Sequence, residues 1–155
     1  MRLLLPLFIL SLSACMAQQW QGAWAGSAVV NDGRTPTTMN GTIFVSTGSG
    51  IPASLVFAFK GSPAGVSKEW NCPAGGVSTA SSTASTATIT TGATCKLTAA
   101  PDDGCSYETV FNSGEFTIRG DSMTGTGAGR LTTACAGMGS ATSDFGFTVT
   151  ATQKK

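Results

Sequence analysis

The sequence predicts an all-β fold, most simply an antiparallel meandering barrel, with a β-sandwich as the alternative. The 155 residues include 20 glycines and many threonines and serines, a composition that disfavours long helices. Short segments alternate apolar and polar side chains, as in 54–60, where Leu55 and Phe57 share one face. Turn signals such as the Asn-Asp-Gly at 31–33 separate these segments. Regularly spaced short strands of this kind are typical of barrels and sandwiches.

Each predicted strand has a face of larger side chains or a bounding turn. In the first, Trp20, Trp24 and Val30 share one face, and in the last, Phe145 and Phe147 point inward. Further turns are expected at 101–104 and 112–114. The predicted strands, about eight or nine in number, are 20–30, 41–46, 54–60, 66–71, part of 84–97, 106–111, 115–119, 122–131 and 144–152.

The segment 78–91 has low complexity and consists mainly of serine, threonine and alanine. We interpret it as a flexible loop that leads into an exposed threonine-rich strand. The alternative is a Thr-x-Thr array that binds an ordered surface such as ice or polysaccharide, as at 86–90. Such arrays repeat over many coils, and no repeat period is present in the sequence.

The N-terminus has the features of a bacterial secretion signal. Arg2 precedes the apolar run 3–12, which is too short to span a bilayer as a stable helix. The sequence Leu12-Ser13-Ala14-Cys15 resembles the lipobox of bacterial lipoproteins. This resemblance implies that residues 1–14 are removed, that the Cys15 thiol receives a diacylglycerol, and that the new amino group is acylated, for example with palmitate. The alternative is an ordinary signal peptide cleaved after Ala17.

The resemblance also implies a location and a domain organisation. Met16 follows Cys15 in place of the aspartate associated with inner-membrane retention, which favours the outer membrane of the cell envelope. The lipid on Cys15 then makes the membrane a partner. We expect residues 15–19 to form a lipidated tether and residues 20–153 to form a single β-domain, since the chain left after cleavage suffices for one core.

The remaining cysteines form an even set: Cys72, Cys95, Cys105 and Cys135. In an oxidising compartment, two disulfides are the simplest outcome. In a simple meander, Cys95 and Cys105 flank one turn while the other two lie at the opposite rim, so we favour the pairs Cys95 with Cys105 and Cys72 with Cys135. The intervening lengths of 22, 9 and 29 residues contain no C-x2-C pair, and the chain has no histidine, so no metal site is expected.

The chemistry of the chain disfavours catalysis and nucleic-acid binding. Without histidine, the Ser-His-Asp and Cys-His mechanisms are excluded. Acids that remain for glycosidase chemistry are Asp102, Asp103, Glu108, Glu115 and Asp144. The first two lie in a Pro-Asp-Asp-Gly turn, where local hydrogen bonding explains aspartate. Without Arg2, eight bases balance eight acids, and the bases are mostly isolated. We therefore expect no enzyme, no cofactor and no nucleic-acid partner.

Two short matches to known families are present. Gly22-Ala23-Trp24 resembles the Gly-x-Trp opening of lipocalins, whose up-and-down barrels hold small apolar ligands. The final predicted strand lacks the arginine that this family places over the tryptophan, and Arg130 lies one strand earlier. The tripeptide Arg119-Gly120-Asp121 resembles an integrin-recognition loop, but we interpret Gly120-Asp121 as a hairpin turn.

The sequence as a whole favours a lipid-anchored, non-enzymatic cell-envelope protein whose disulfide-bonded β-domain binds a partner or small molecule, or has a structural role. The alternatives are a lipocalin-like carrier of a small apolar ligand and an inhibitor of an envelope-attacking hydrolase such as lysozyme. No ligand-binding residue is assigned. The meander places 31–33, 101–104 and Gly120-Asp121 at the rim away from the tether, where we expect a partner to bind.

Overall fold

A computed structural model of the chain describes residues 20–62, 67–72, 76–100 and 103–155. These residues form ten strands, all paired in antiparallel fashion. The strands are β1 (Gly22–Asn31), β2 (Thr37–Gly48), β3 (Ile51–Gly61), β4 (Ser67–Asn71), β5 (Val77–Ser82), β6 (Thr86–Ile89), β7 (Thr94–Ala100), β8 (Cys105–Arg119), β9 (Ser122–Cys135) and β10 (Gly139–Gln153). The predictions for residues 1–14, for Cys15 and for the tether lie outside the described residues.

The hydrogen bonds between strands form a closed ring. Going around it, β1 pairs with β2, then β3, β4, β7, β8, β9 and β10, and β10 pairs again with β1. Two strand pairs, β4–β7 and β5–β6, lie side by side and connect β3 to β8. The β4–β7 pair meets β3 near Lys60, and the β5–β6 pair meets β3 near Ser54. The predicted all-β antiparallel barrel is therefore confirmed, although this double bridge makes it irregular.

The predicted turn at 112–114 is wrong. The strand β8 continues through these residues and pairs with β9 along its whole length, with a register shift between Phe111 and Ser113. Such a β-bulge places one extra residue in one strand and bends it without reversing it. The flexible loop expected in the first part of 78–91 is also wrong, because β5 extends to Ser82, whereas the threonine-rich strand expected to follow it is present as β6.

The two predicted disulfides are present, but the favoured pairing is wrong. Cys72 is bonded to Cys95, and Cys105 is bonded to Cys135. The reason is strand order: Asn71 lies opposite Lys96 in the β4–β7 pair, which places the cysteines of those strands side by side. Likewise, Cys105 lies directly opposite Cys135 in the β8–β9 pair. Because residues 112–114 contain a bulge and not a turn, every segment after them runs opposite to the direction that the predicted meander gave it.

The barrel has two distinct ends. The N-terminal end is where residue 20 enters and where the turn at Gly120-Asp121 lies, its Asp121 carbonyl accepting a hydrogen bond from Gln153 N at 2.9 Å. The mouth end carries the 31–36 loop, the 135–139 turn and Asp103. Gly120-Asp121 was expected at the rim away from the tether, and Cys135 at the tether rim; both expectations are wrong, because residues 115–119 of β8 and all of β9 run opposite to the assumed directions.

Two tryptophans close the N-terminal end. Trp20 and Trp24 are fully buried. The Trp20 indole Nε1 donates to the Ala84 carbonyl at 3.0 Å, and Trp24 Nε1 donates to the Trp20 carbonyl at 2.9 Å. Because Ala84 lies in the β5–β6 turn, on the opposite side of the ring from β1, this first hydrogen bond crosses the end of the barrel.

Aromatic rings fill the interior above the two tryptophans. The cluster consists of Phe57, Trp70, Phe111, Phe116, Phe145 and Phe147, with ring centroids 5.4–6.5 Å apart. Glycines on β9 leave room for these rings: a Cβ at Gly129 would lie 2.7 Å from the Phe145 ring. The alternate glycines of this segment therefore permit the aromatic rings to pack closely against β9.

Candidate functional site

An open cavity of about 160 Å³ lies at the mouth end, above the aromatic cluster. Its apolar lining consists of Val30, Met39, Trp70, Leu131 and Phe145. These side chains come from five different strands, because inward-facing positions alternate along each strand of the barrel. Hereafter this space is called the mouth cavity. The hydroxyl-bearing residues Thr37, Thr109 and Ser143 also line it.

Lys68, Asp103 and Tyr107 form a polar cluster at one side of the mouth cavity. The Lys68 ammonium lies 2.8 Å from Asp103 Oδ2 and 3.5 Å from the centroid of the Tyr107 ring. The Tyr107 hydroxyl donates a hydrogen bond to the same carboxylate oxygen. With 11% of its side chain exposed, Lys68 is held between a counter-ion and an aromatic face, as in a cation–π contact.

The cluster keeps both charges over a wide pH range. Burial acts to lower the pKa of Lys68, but the contacts with Asp103 and Tyr107 outweigh it and raise that pKa above 10.5. Hydrogen bonds from Lys68 and Tyr107 lower the pKa of Asp103 from 3.8 to about 2. At neutral pH, Lys68 is therefore a charged hydrogen-bond donor and cannot serve as an amine nucleophile or general base.

We expect this cluster to make stability pH-dependent in acid. Because the pKa of Asp103 is lowered from 3.8 to about 2, its stabilising contribution is present above about pH 4 and is lost as the pH falls through 2. The contribution of Lys68, whose pKa is raised, is complete below 10.5 and is lost at higher pH. The melting temperature of Asp103→Asn should thus lie below that of wild type at pH 6, with a gap that closes toward pH 2.

The exposed Arg130–Asp144 pair provides the control for this prediction. Its atoms are 3.0 Å apart, but 57% and 74% of the two side chains are exposed, so solvent screens the pair. Asp144→Asn should change the melting temperature by less at pH 6 than Asp103→Asn does. If the melting temperatures of wild type and Asp103→Asn differ by the same amount at every pH from 6 to 2, the contacts of the Asp103 carboxylate do not contribute to stability.

One buried side-chain donor in the described part of the chain has no hydrogen-bond partner. It is the indole Nε1 of Trp70, a residue that is 4% exposed and lines the mouth cavity. The ring of Trp70 packs edge-on against Phe145, at 5.8 Å between centroids. A buried donor without an acceptor costs about 1–3 kcal/mol.

The structure does not bring together the carboxylates considered for glycosidase chemistry. Asp103 belongs to the polar cluster, and Asp144 pairs with Arg130 near the mouth end. Glu108 and Glu115 are exposed on β8, while Asp102 lies outside the described residues. In the ranges that the structure covers, no group of three or more cysteines, aspartates or glutamates is arranged to hold a metal ion.

The two short family matches find separate explanations. Trp24 lies at the N-terminal end, whereas Arg130 pairs with Asp144 toward the mouth, so this arginine does not cover the tryptophan. Gly120-Asp121 forms the β8–β9 turn, as expected, and Asp121 pairs with Lys155 at 3.0 Å. Neither match contributes a residue to the mouth cavity.

The residues that matter at the mouth escaped sequence reasoning. Lys68 and Trp70 lie in the predicted strand 66–71, and Tyr107 lies in the predicted strand 106–111, but none of the three was assigned to a site. A signal was present: Lys68 and Trp70 are two residues apart and so share a face, and Tyr107 is the only tyrosine. Their approach depends on β7 lying between β4 and β8, which no local pattern reveals.

In the ranges that the structure describes, no helix has the length and apolar character needed to cross a membrane. No protein-family model matches the sequence, and comparisons with the curated proteins and with the solved structures found no significant match.

Proposed function

We propose that the protein is a lipid-anchored, non-enzymatic binding protein of the bacterial cell envelope that takes one ring-sized apolar group into its mouth cavity. The observation that carries this proposal is the open, largely apolar cavity of about 160 Å³ at the end of the barrel opposite the chain entry. An apolar cavity of about 150 Å³ in another protein stays dry and binds benzene. A single ring, either of a free small molecule or of a partner's side chain, matches this volume.

The packing of the interior favours a short group over a long one. A fatty acyl chain would need the space that Phe57, Phe111 and Phe147 occupy beneath the mouth cavity. Pockets for drug-sized ligands are typically about 300–1,000 Å³, well above this volume. A lipocalin-like carrier of long apolar ligands is therefore less favoured than a receptor for one ring.

The polar cluster supports a binding role over catalysis. Lys68 and Asp103 neutralise each other, and the raised pKa of Lys68 keeps it protonated. These two groups fix the shape of one wall of the cavity. Because they are paired with each other, neither is available at this wall as a base or a nucleophile.

The position of the mouth suits an anchored protein. A tether of residues 15–19 spans at most about 17 Å, so a lipid on Cys15 would keep the N-terminal end close to the membrane. The mouth would then face away from the membrane, toward its ligand. The disulfides Cys72–Cys95 and Cys105–Cys135 give modest support to a compartment outside the cytoplasm.

Binding is tested by thermal unfolding of the mature chain carrying Cys15→Ser, with and without toluene as the probe. A ligand that binds only the native state raises the melting temperature in proportion to ln(1 + [L]/Kd). We expect toluene to stabilise the parent protein and its Leu131→Ile variant, but not Leu131→Phe, whose larger side chain fills the cavity. An equal shift in all three proteins, or no shift in the parent, would contradict binding at the mouth.

Anchoring is tested by the intact mass of the natural protein extracted from membranes without reduction. We expect a chain that begins at Cys15, carries a diacylglycerol and an amide-linked acyl group, and lacks the four hydrogens removed by two disulfides. An unmodified chain that begins at Gln18 would contradict the anchor while leaving the binding proposal open to its own test.

A further inference from the structure

We infer that the N-terminal end of the barrel is itself a membrane-binding surface, which lies against anionic lipid headgroups and inserts Phe44 and Ile51 between them. The inference goes beyond the proposed function, because it assigns a surface of the folded domain to the membrane in addition to the lipid. It rests on the proposed anchor for one step, the placement of a bilayer near this end. Exposed apolar side chains and an uneven distribution of charge carry it.

Two large apolar side chains are exposed on the outer wall near the N-terminal end. Phe44 is 49% exposed and lies opposite Ala23, the second residue of β1. Ile51 is 39% exposed and begins β3, directly after the turn in which β2 ends. Val56 lies opposite Phe44 on the neighbouring strand and is half-buried, so it extends the apolar area around that ring. Single exposed apolar residues are common, so the neighbouring charges decide what this area contacts.

The charged side chains at this end are mostly basic. Among the described residues there, three bases and one acid are exposed: Arg119, Lys154, Lys155 and Asp121. Lys155 pairs with Asp121 at 3.0 Å, so Arg119 and Lys154 make up the excess. A carboxylate after Lys155 would still leave the bases in excess. The next acid, Glu115, precedes Arg119 by four residues on β8. That separation is about 13 Å, farther than the roughly 8 Å Debye length at physiological salt.

The mouth half of the barrel has no such excess in its described part. Each base there has an acidic neighbour: three ion pairs, Lys60–Glu69, Lys68–Asp103 and Arg130–Asp144, one pair on adjacent strands, Lys96 and Glu108, and one pair in the 31–36 loop, Arg34 and Asp32. An anionic surface is therefore attracted to the N-terminal end more than to the mouth.

Lys154 connects the basic and the apolar parts of this surface. Its backbone N–H donates to the Ala23 carbonyl at 2.8 Å, which fixes this part of the chain beside β1. Its ammonium lies 3.4 Å from the Thr42 hydroxyl, and Thr42 shares the outward face of β2 with Phe44, two residues further on. A base beside an exposed ring suits a membrane interface, where the ring enters the acyl boundary while the ammonium stays among the phosphates.

The chain entry places this surface beside the membrane. Residues 15–19 span at most about 17 Å, so a lipid on Cys15 would hold Trp20 within that distance of the headgroups. Contacts that are weak for a free protein become effective when a tether makes them intramolecular. The N-terminal end would then rest on the bilayer, and the mouth would stay clear of it.

The test measures the partition of the mature Cys15→Ser protein, which carries no lipid, onto vesicles by cosedimentation. One set of vesicles contains phosphatidylglycerol and phosphatidylcholine in equal amounts, and the other contains phosphatidylcholine alone. We expect binding to the first set, weakened by added salt, and much less to the second. Arg119→Gln combined with Lys154→Gln should weaken this binding about tenfold. The control removes the same charge from the mouth half, by Arg34→Gln with Lys60→Gln, and should bind as the parent does.

A second pair of variants tests the apolar contact. Phe44→Ala should weaken binding to the anionic vesicles about threefold, because the ring no longer enters the interface. Met138→Ala removes an apolar side chain that is 81% exposed in the 135–139 turn at the mouth end, and it should have no effect. Melting temperatures verify that each variant is folded.

Three outcomes would overturn the inference. The first is a parent protein that does not bind the anionic vesicles, and the second is an equal loss in the two charge variants. The third is a loss in the Arg119 and Lys154 variant without a loss in Phe44→Ala, which would mean that this end attracts any soluble polyanion. None of these results bears on toluene binding or on the intact mass, so the proposed function can stand when this surface fails.

Discussion

Replacing Gly26 by alanine is expected to destabilise the barrel by about 3 kcal/mol or to prevent its folding. Gly26 lies on β1, where a Cβ would overlap the Thr150 carbonyl oxygen and lie 2.5 Å from the Ala151 Cα of β10. Both are backbone atoms, so the clash is relieved only if the two strands separate. Its partner on β2, Gly41, is similarly crowded, with a Cβ position 2.7 Å from the Phe59 Cα.

The matched control is Gly146→Ala on β10. A Cβ at Gly146 would meet nothing closer than the Gly127 carbonyl oxygen at 3.8 Å, an ordinary contact. Alanine also restricts the unfolded chain, so this change should alter stability by less than about 1 kcal/mol in either direction. Urea unfolding of both variants measures the difference, and equal stabilities would show that the strands approach less closely at Gly26.

Replacing Trp24 by alanine is expected to cost about 3–5 kcal/mol, the range for removing a fully buried large aromatic side chain. Trp24 is fully buried, and its Nε1 donates to the Trp20 carbonyl at 2.9 Å. Its loss leaves a cavity beneath the aromatic cluster and removes the support for Trp20, whose indole reaches Ala84 across the N-terminal end. The variant therefore loses the packing of Trp24 and the support of Trp20 at the same time.

Phe44 on β2 serves as the comparison for Trp24. It is an aromatic residue of the neighbouring strand, it lies opposite Ala23, and it is 49% exposed. Phe44→Ala should reduce stability by less than about 1 kcal/mol, because the ring is only half removed from water. Guanidinium unfolding under non-reducing conditions checks both values. Comparable losses for the two variants would mean that Trp24 does not anchor the core.

The strongly alternating segments of the sequence were sufficient to predict the fold class. The 54–60 alternation indicated which side chains face inward, and Leu55, Phe57 and Phe59 are indeed buried. At 112–114, the Asn-Ser-Gly sequence suits both a turn and a bulge. The choice is made by β9, which pairs with β8 on both sides of the bulge, and that information is not local.

The disulfides and the mouth depend on the same non-local information. Cys72 meets Cys95, and Lys68 approaches Tyr107, only because β7 lies between β4 and β8. The hairpin β5–β6 comes from a serine- and threonine-rich segment whose composition resembles a loop. Residue spacing alone therefore identified the cysteines as a set but gave neither their pairing nor the cavity above Trp70.

The most direct measurement of binding at the mouth is a crystal structure of the mature protein soaked with iodobenzene, in which anomalous scattering locates the iodine. We expect a single strong site within the mouth cavity, in contact with Met39, Leu131 and Phe145 and above the ring of Trp70. A fully occupied iodine elsewhere with an empty mouth, or a cavity closed by its own side chains, would contradict the proposal that this barrel receives a ring-sized group.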